Sequence, residues 1–175
     1  MTEYRIFLGS SISDPPLEYD RNAIGNLIRR MNDAFRASGR NTYLKIFLCE
    51  WEDATMKNQR TQDTYNDFIR SCDLFVGLFF RKRGIFTLEE LEVARETGRP
   101  VCLFMRTAQE DGTPVALSSE DDLQGISYTN MDELLLHLLR HLQAGPFSDA
   151  ITFSGGNVLV DGSPVLLNVP ERPLS

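Results

Sequence analysis

The segment that most constrains the fold is Leu74-Phe75-Val76-Gly77-Leu78-Phe79, an apolar run that lacks the polar alternation of a half-exposed strand. A strand of this composition is covered on both faces, which is typical of the middle of a parallel sheet flanked by helices. Strand-like and helix-like patterns alternate along the chain on either side of it, as they do in consecutive β-α-β units. The sequence therefore predicts an α/β domain with Leu74 to Phe79 at the centre of its sheet.

Other apolar segments predict the remaining strands, at Tyr4–Leu8, Tyr43–Cys49, Val101–Met105 and Gly125–Ser127. Amphipathic patterns between them predict helices from Asp14-Pro15 to Gly39, around Tyr65 to Cys72, from about Leu88 to Gly98, and from Met131 to Leu142. Asn130 and Glu133 form a capping pair for the last of these helices. We predict a flavodoxin-like three-layer fold with a five-stranded parallel sheet in the order 2-1-3-4-5.

The character of the chain changes at Gly145-Pro146, so residues 1–145 are predicted to form one domain and residues 146–175 an appended hairpin and linker. Asp161-Gly162 separates two apolar triplets, Val158 to Val160 and Val165 to Leu167, which is a strong hairpin signal. An isolated hairpin is marginally stable in water. This one must therefore pack on the domain, pair with another chain, or begin a further module.

Composition narrows the functional classes. The formal net charge of −7 argues against direct nucleic-acid binding, because phosphate contacts require a basic excess. No apolar run has the length of a membrane span and no signal-peptide pattern opens the chain, so we expect a soluble, cytoplasmic protein.

Cys49, Cys72 and Cys102 form no C-x-x-C pair and are predicted to be buried free thiols. His137 and His141 have a spacing that suits zinc but lack an H-E-x-x-H pattern, so no metal site is predicted.

The predicted strand order brings two segments together at the sheet's switch point, the crevice between the carboxyl ends of strands one and three. These segments are Gly9–Leu17 and Phe80–Glu90. The first segment contains a single glycine, so it is neither a dinucleotide fingerprint nor a Walker P-loop. Ser10 and Ser11 either bind a ligand together with backbone N–H groups of the following helix, or satisfy the turn themselves.

The second segment contains the basic triplet Arg81-Lys82-Arg83 in an otherwise acidic chain. The triplet either attracts a pyrophosphate or is an ordinary solvated loop. Phe80 and Phe86 flank it and either stack on a flat ring or belong to the core. The triplet, Phe80 and Phe86 therefore each have a ligand-binding and a structural interpretation.

Glu90 differs from the glutamates beside it. Helical spacing places Glu89, Glu92 and Glu96 on the solvent side, whereas Glu90 lies at the margin of the core and faces the crevice. Thr87-Leu88-Glu89-Glu90 is also a T-x-x-E pattern, in which Glu90 would bond to the N-cap amide. Spacing alone favours this capping role.

Two stretches, FLGSSISDPPLEYDR and NDFIRSCDLFVGLFFRKRGIFTLEELEVA, resemble the prokaryotic TIR-like (Toll/interleukin-receptor-like) domains of bacterial defence proteins. The resemblance covers residues 4–143 and is most specific from Tyr65 to Ala94. It implies the flavodoxin-like fold, self-association through the domain, and cleavage of NAD+ between nicotinamide and ribose. NAD+ would be the substrate, and no cofactor is implied.

The resemblance also implies roles for individual residues. Aligning the E-L-x-x-A segment gives Glu90 the catalytic role. Thr87 stands where many members have serine or cysteine, a departure that affects the substrate contacts. Trp51 either stacks on the adenine or packs half-buried against the domain. The remaining ligand contacts map to Ser10, Ser11, Phe80, Lys82 and Phe86.

A lone carboxylate suits this reaction, because nicotinamide departs as a neutral molecule and needs no acid, unlike the leaving group of an ordinary glycoside. The carboxylate would stabilise the oxocarbenium-like transition state, and a helix N-terminus would favour its ionised form. The leading hypothesis is therefore an NAD+ nucleosidase, a hydrolase acting as the effector of antiphage innate immunity. The alternatives are a non-catalytic TIR scaffold that acts by self-association, and a nucleoside deoxyribosyltransferase-like enzyme.

Overall fold

The main sheet is parallel and has the predicted strand order. The computed structural model describes residues 1–10, 15–48, 59–80, 85–109, 111–114 and 125–167. Within them the sheet consists of β1 Thr2–Ser10, β2 Thr42–Leu48, β3 Leu74–Phe79, β4 Val101–Arg106 and β5 Ile126–Tyr128. The strands are arranged in the order β2-β1-β3-β4-β5 and every neighbouring pair is parallel. The predicted fold class and the central position of Leu74 to Phe79 are confirmed.

Helices cover both faces of the sheet. The described residues contain α1 Pro15–Ser38, α2 Gln59–Ser71, α3 Ile85–Glu96 and α4 Met131–Ala144. Side chains alternate between the two faces along each strand. Ile6 and Leu8 of β1 pack in one core with α1 and α4, whereas Phe7 packs in a second core with α2 and α3. The result is a three-layer arrangement with a core on each side of the sheet.

The central strand is buried along its whole length. A Cβ atom at Gly77 would lie 2.9 Å from Cδ2 of Leu103 and 3.0 Å from the ring of Phe79. Glycine therefore permits a close approach between β3 and β4 on the α2–α3 face. The uninterrupted burial explains why this segment carries no polar alternation.

The C-terminal segment forms a separate antiparallel sheet of three strands, β6 Ile151–Ser154, β7 Asn157–Val160 and β8 Ser163–Leu166. The predicted hairpin is β7–β8, and its turn has Asp161 at φ 47° and Gly162 at φ 84°. Positive φ at both central residues is the geometry of a type I′ turn. The first strand, β6, was missed by the sequence analysis, although the Gly155-Gly156 turn that joins it to β7 is a hairpin signal of the same kind.

This small sheet packs on the domain. Ile151, Val158, Val160 and Val165 are buried in the same core as α1 and α4. Arg30 of α1 donates a hydrogen bond to the carbonyl of Val165 on the edge strand β8, at 2.9 Å. Of the three ways in which the hairpin can be covered, the structure therefore shows packing on the domain.

A polar anchor fixes the Asp161 turn to the end of α1. Arg40 binds Asp161 as a fork, with Nε 2.8 Å from Oδ2 and Nη2 2.8 Å from Oδ1. The hydroxyl of Ser38 donates a further bond of 2.8 Å to the same carboxylate. The hydrogen bonds from Arg40 lower the pKa of Asp161 below that of an ordinary aspartate. The anchor therefore stabilises the ionised carboxylate.

Asp161→Asn is expected to lower the free energy of unfolding at neutral pH by about 1–2 kcal/mol, because it removes a charged acceptor while keeping a residue that tolerates positive φ. The pKa of Asp161 is depressed in the folded state, so this stabilisation is complete above the unfolded pKa of about 3.8 and disappears as the pH falls through the folded pKa. Urea unfolding of both proteins at pH 7 and near pH 3 measures the difference.

Asp149→Asn is the matched control, because the Asp149 carboxylate meets the same Arg40 at 3.2 Å but is 69% exposed. It should change stability by only about a few tenths of a kcal/mol. If the difference in free energy of unfolding between wild type and Asp161→Asn is the same at pH 7 and near pH 3, the ionised Asp161 carboxylate does not stabilise the fold.

The cysteines and the helices can be compared with what composition predicts. Cys72 and Cys102 are buried and free, and burial raises the pKa of the Cys102 thiol to about 12. Cys49 lies outside the described residues. Within the described ranges, no helix is both long and apolar enough to cross a membrane.

Candidate active site at the carboxyl edge of the sheet

The carboxyl ends of β1 and β3 lie side by side. Ser10, the last residue of β1, is paired in register with Leu78 near the end of β3. The chain leaves β1 towards β2 on one side and reaches β3 on the other, so the strand order reverses here. This is the predicted switch point, where open α/β sheets bind their ligands.

Ser10 lies at the floor of this crevice. Its side chain shares a pleat with Ile6 and Leu8, so it faces α1, and it is only 6% exposed. Its hydroxyl makes no hydrogen bond within the part of the chain that the structure describes. An unsatisfied buried hydroxyl costs about 1–3 kcal/mol, so Ser10 is suited to bonding a ligand.

The other predicted ligand contacts have different positions. Phe80 follows β3 and is buried in the α1-side core, in agreement with the packing alternative. The backbone of Phe86 belongs to the first turn of α3, and its side chain is outside the described part. Ser11, Trp51 and Lys82 also lie outside the described residues.

The start of α3 excludes the capping role of Glu90. The helix begins at Ile85, whereas the sequence pattern predicts a start near Leu88. Thr87 therefore lies inside the first turn, and an N-cap residue must precede the helix. The capping-box interpretation of Thr87 to Glu90 is wrong. Glu90 is the sixth helical residue, beyond the turn in which the helix dipole favours a negative charge, so the expected help from the dipole is also small.

Glu90 is nevertheless buried. Only 1% of its surface is exposed, whereas Glu89, Glu92 and Glu96 on the same helix are exposed. Leu91 and Ala94 pack against the sheet in the α2–α3 core, as the helical pattern predicts. Glutamate is almost never fully buried unless it is paired or functional. Glu90 is therefore the distinctive acidic residue of α3.

Helix α3 packs across the central strands of the sheet. It contacts β1 as well as β3 and β4, so it spans the boundary between the strands whose ends form the crevice. The N-terminal end of α3 is close to the carboxyl edge of the sheet, because α3 follows β3 after a short connection. Glu90 lies at the middle of this helix of 12 residues. Ser10 and the start of α3 therefore lie at the same edge of the sheet, with Ser10 facing α1 and α3 packed on the opposite face.

A buried polar cluster on the α1 side of the same edge was missed by the sequence analysis. Asp20 of α1 accepts hydrogen bonds from Arg106 Nη1 at 2.9 and 3.0 Å and from the hydroxyl of Tyr128 at 2.6 Å. All three residues are buried. Burial raises the pKa of Asp20, while the hydrogen bonds from Tyr128 and Arg106 act in the opposite direction. We call these three residues the Asp20 cluster.

One signal for the Asp20 cluster was present in the sequence. Asp20 lies three residues after Leu17 and four before Ile24, which are both completely buried, so it occupies the inward stripe of α1. An acidic residue on that stripe requires a buried partner. Among the described residues, no group of three or more His, Cys, Asp or Glu side chains is arranged to hold a metal ion.

The chain resembles proteins of known structure. The chain is similar to the solved structure of the CMP N-glycosidase of Clostridium botulinum, with 20% sequence identity and a TM-score of 0.47, over 78% of this chain and 98% of that chain. No family model and no curated protein matches the sequence. The function of this chain therefore has to be inferred from its own residues.

Proposed function

We propose that this chain is an NAD+ nucleosidase of the TIR-like class, which cleaves the bond between nicotinamide and ribose with Glu90 as its catalytic residue. The observation that supports this proposal is the burial of Glu90, at 1% exposure, on a helix whose other glutamates are exposed. That helix packs against β1 and β3, the two strands whose carboxyl ends form the crevice. A structural cap no longer accounts for the residue, because α3 begins before Thr87.

The reaction requires little more than a fixed negative charge. The bond between C1′ and the pyridinium nitrogen breaks, and nicotinamide keeps the electron pair and leaves neutral. Water then bonds to C1′ and loses one proton, which gives ADP-ribose; attack by an adenine nitrogen instead gives a cyclic isomer. The Glu90 carboxylate stabilises the positive charge on the ribose in the transition state and holds its hydroxyls. A second carboxyl is not needed, in contrast to ordinary glycosidases.

The other proposed residues contact different parts of NAD+. Ser10 bonds the ribose or pyrophosphate from the crevice floor, where its buried hydroxyl makes no hydrogen bond within the described residues. Lys82 attracts the pyrophosphate together with Ser11. Phe86 and Trp51 provide apolar contact for the rings.

A substrate comparison separates the proposal from its alternatives. The chain is incubated with NAD+, with CMP, or with a 2′-deoxynucleoside plus a free acceptor base, and the released bases are resolved by chromatography. Release of nicotinamide alone supports the proposal. Release of cytosine, or exchange of the base on the deoxynucleoside, would indicate a nucleoside-processing enzyme instead. A chain that is folded but releases no base from any substrate would indicate the scaffold.

Self-association is part of the proposal, with the chain acting as the effector of a cytoplasmic antiphage response. We expect the specific activity to rise with protein concentration, because an effector of this kind must stay inactive until it assembles. Nicotinamide release per chain is measured over a range of protein concentrations, and sedimentation velocity gives the oligomeric state in each. High specific activity that is independent of concentration, in a demonstrated monomer, would refute this part.

A further inference from the structure

A compact turn follows β4 at the edge of the sheet that carries the candidate site. We call it the β4 turn; it is described for residues 108, 109 and 111–114. Ala108 and Pro114 form an antiparallel bridge, and Gln109 N donates to the carbonyl of Thr113 at 2.8 Å. Gly112 adopts φ 88° at the tip. The tip residues are exposed, although the turn is closed by its own backbone hydrogen bonds.

The Asp20 cluster holds this turn in place. Arg106 donates from Nε to the carbonyl of Ala108 at 2.7 Å and from Nη2 to the carbonyl of Gln109 at 3.4 Å. Its third nitrogen, Nη1, is bound by Asp20, which Tyr128 also contacts. The planar guanidinium thus connects the backbone of the turn to α1 and β5 through a fixed fork.

Burying the Asp20–Arg106 ion pair carries a desolvation cost. Desolvating two charges often costs more than their attraction returns, so apolar residues of similar volume would commonly stabilise a core equally well. What the pair provides is a fixed geometry for the backbone at residues 108 and 109. This indicates that the position of the turn, rather than the stability of the core, is what the Asp20 cluster secures.

The turn lies at the same edge of the sheet as the crevice, after the strand that neighbours β3. Phe79 at the end of β3 is paired in register with Met105 of β4, so Arg106 lies one residue beyond the end of β3. The β4 turn therefore continues the carboxyl edge of the sheet beside the end of β3. Its tip carries the Asp111 carboxylate, whose pKa is lowered by a hydrogen bond from the backbone of Thr113. An ionised acceptor at this place suits hydroxyl groups and repels phosphate.

We propose that the β4 turn forms one wall of the ligand crevice and binds the ribose diol of the adenosine half of a dinucleotide, with Asp20 and Arg106 as its positioning residues. The inference rests on the proposed function for the identity of the ligand. It adds a second contact region, on the β4 side of the sheet edge, to the Glu90 region on the α3 side.

The test compares two glycines that have the same backbone conformation at opposite edges of the sheet. Gly112 in the β4 turn has φ 88° and Gly98, in the connection that leads into β4, has φ 70°; an added Cβ would meet no atom within 4 Å at either position. Gly112→Ala and Gly98→Ala therefore introduce comparable backbone strain without steric overlap. Calorimetric titration with ADP-ribose and NAD+ kinetics are measured for both variants of the full chain.

We expect Gly112→Ala to raise the Kd for ADP-ribose and the KM for NAD+ by about fivefold or more, as for the loss of one hydrogen bond, with kcat nearly unchanged. Gly98→Ala should bind like wild type. Arg106→Lys, which keeps the charge but loses the fork, should weaken binding as Gly112→Ala does. If Arg106→Lys does not fold, the glycine pair decides the question.

The outcomes distinguish this inference from the proposed function. Equal Kd values for Gly112→Ala, Gly98→Ala and wild type would show that the β4 turn does not contact the ligand. If wild type binds ADP-ribose but releases no nicotinamide from NAD+, the proposed activity is wrong. The Kd comparison then still shows whether the β4 turn contacts the ligand. A wild-type chain that binds no ADP-ribose at millimolar concentration would overturn both.

Discussion

Glu90→Gln is expected to lower NAD+ turnover by at least about a hundredfold while the protein stays folded, because the amide cannot supply the negative charge that the transition state requires. The substitution preserves the size of a side chain that is only 1% exposed, so packing of α3 should be retained. Nicotinamide release and melting temperature are compared with wild type under conditions in which wild type is active.

Two matched controls lie on the same helix. Glu89→Gln and Glu92→Gln remove the same charge from exposed positions and should turn over NAD+ like wild type. Near-normal turnover by Glu90→Gln would show that the carboxylate is structural. An inactive Glu89→Gln beside an active Glu90→Gln would move the catalytic role to the solvent side of α3 and contradict the site described above.

Asp20→Ala is expected to lower the free energy of unfolding by about 3–5 kcal/mol, since it leaves the Arg106 guanidinium as an uncompensated buried charge. The hydroxyl of Tyr128 loses its acceptor in the same step. For a chain of this length the melting temperature should fall by roughly 6–20 °C. Urea unfolding and scanning calorimetry measure the two quantities.

Asp33→Ala provides the comparison within α1. Its carboxylate is 63% exposed and lies 3.6 Å from Arg36, so its loss should cost no more than about 1 kcal/mol. Replacing Asp20 and Arg106 together by apolar residues should recover much of the stability lost in Asp20→Ala. An Asp20→Ala variant as stable as Asp33→Ala would mean that the buried pair contributes little.

The main sheet could be predicted because its evidence is local. The unbroken apolar run from Leu74 to Phe79 requires cover on both faces, and alternation of strand and helix patterns then leaves few topologies. The turn at Asp161-Gly162 could be predicted for a similar reason, because a type I′ turn restricts its two central residues. Strand β6 was missed although Gly155-Gly156 is the same kind of signal.

The buried face of α3 was predicted correctly and its start was not. Leu91 and Ala94 set the helical phase, which fixes Glu90 at the margin of the core whatever the first helical residue is. The start at Ile85 follows Gly84 directly, and Ile and Phe have only moderate helix propensity, so Thr87 resembled a cap. Helix boundaries depend on such weak local preferences.

The Asp20 cluster could not be assembled from sequence. Asp20 and Arg106 are 86 residues apart in sequence, and the tertiary fold brings Asp20 to Arg106 of β4 and Tyr128 of β5. Local spacing indicates that Asp20 needs a partner but does not say which residue supplies it. Contacts of this kind depend on the tertiary arrangement and have to be taken from the structure.

The catalytic role of Glu90 is tested most directly by nicotinamide release from NAD+, followed by chromatography for the wild-type chain and for Glu90→Gln over the same range of protein concentration. Wild type should release nicotinamide in excess of the chains present, linearly with time at first, and Glu90→Gln should release almost none. Equal release by the two folded proteins, or no release by wild type at any concentration, would contradict this role.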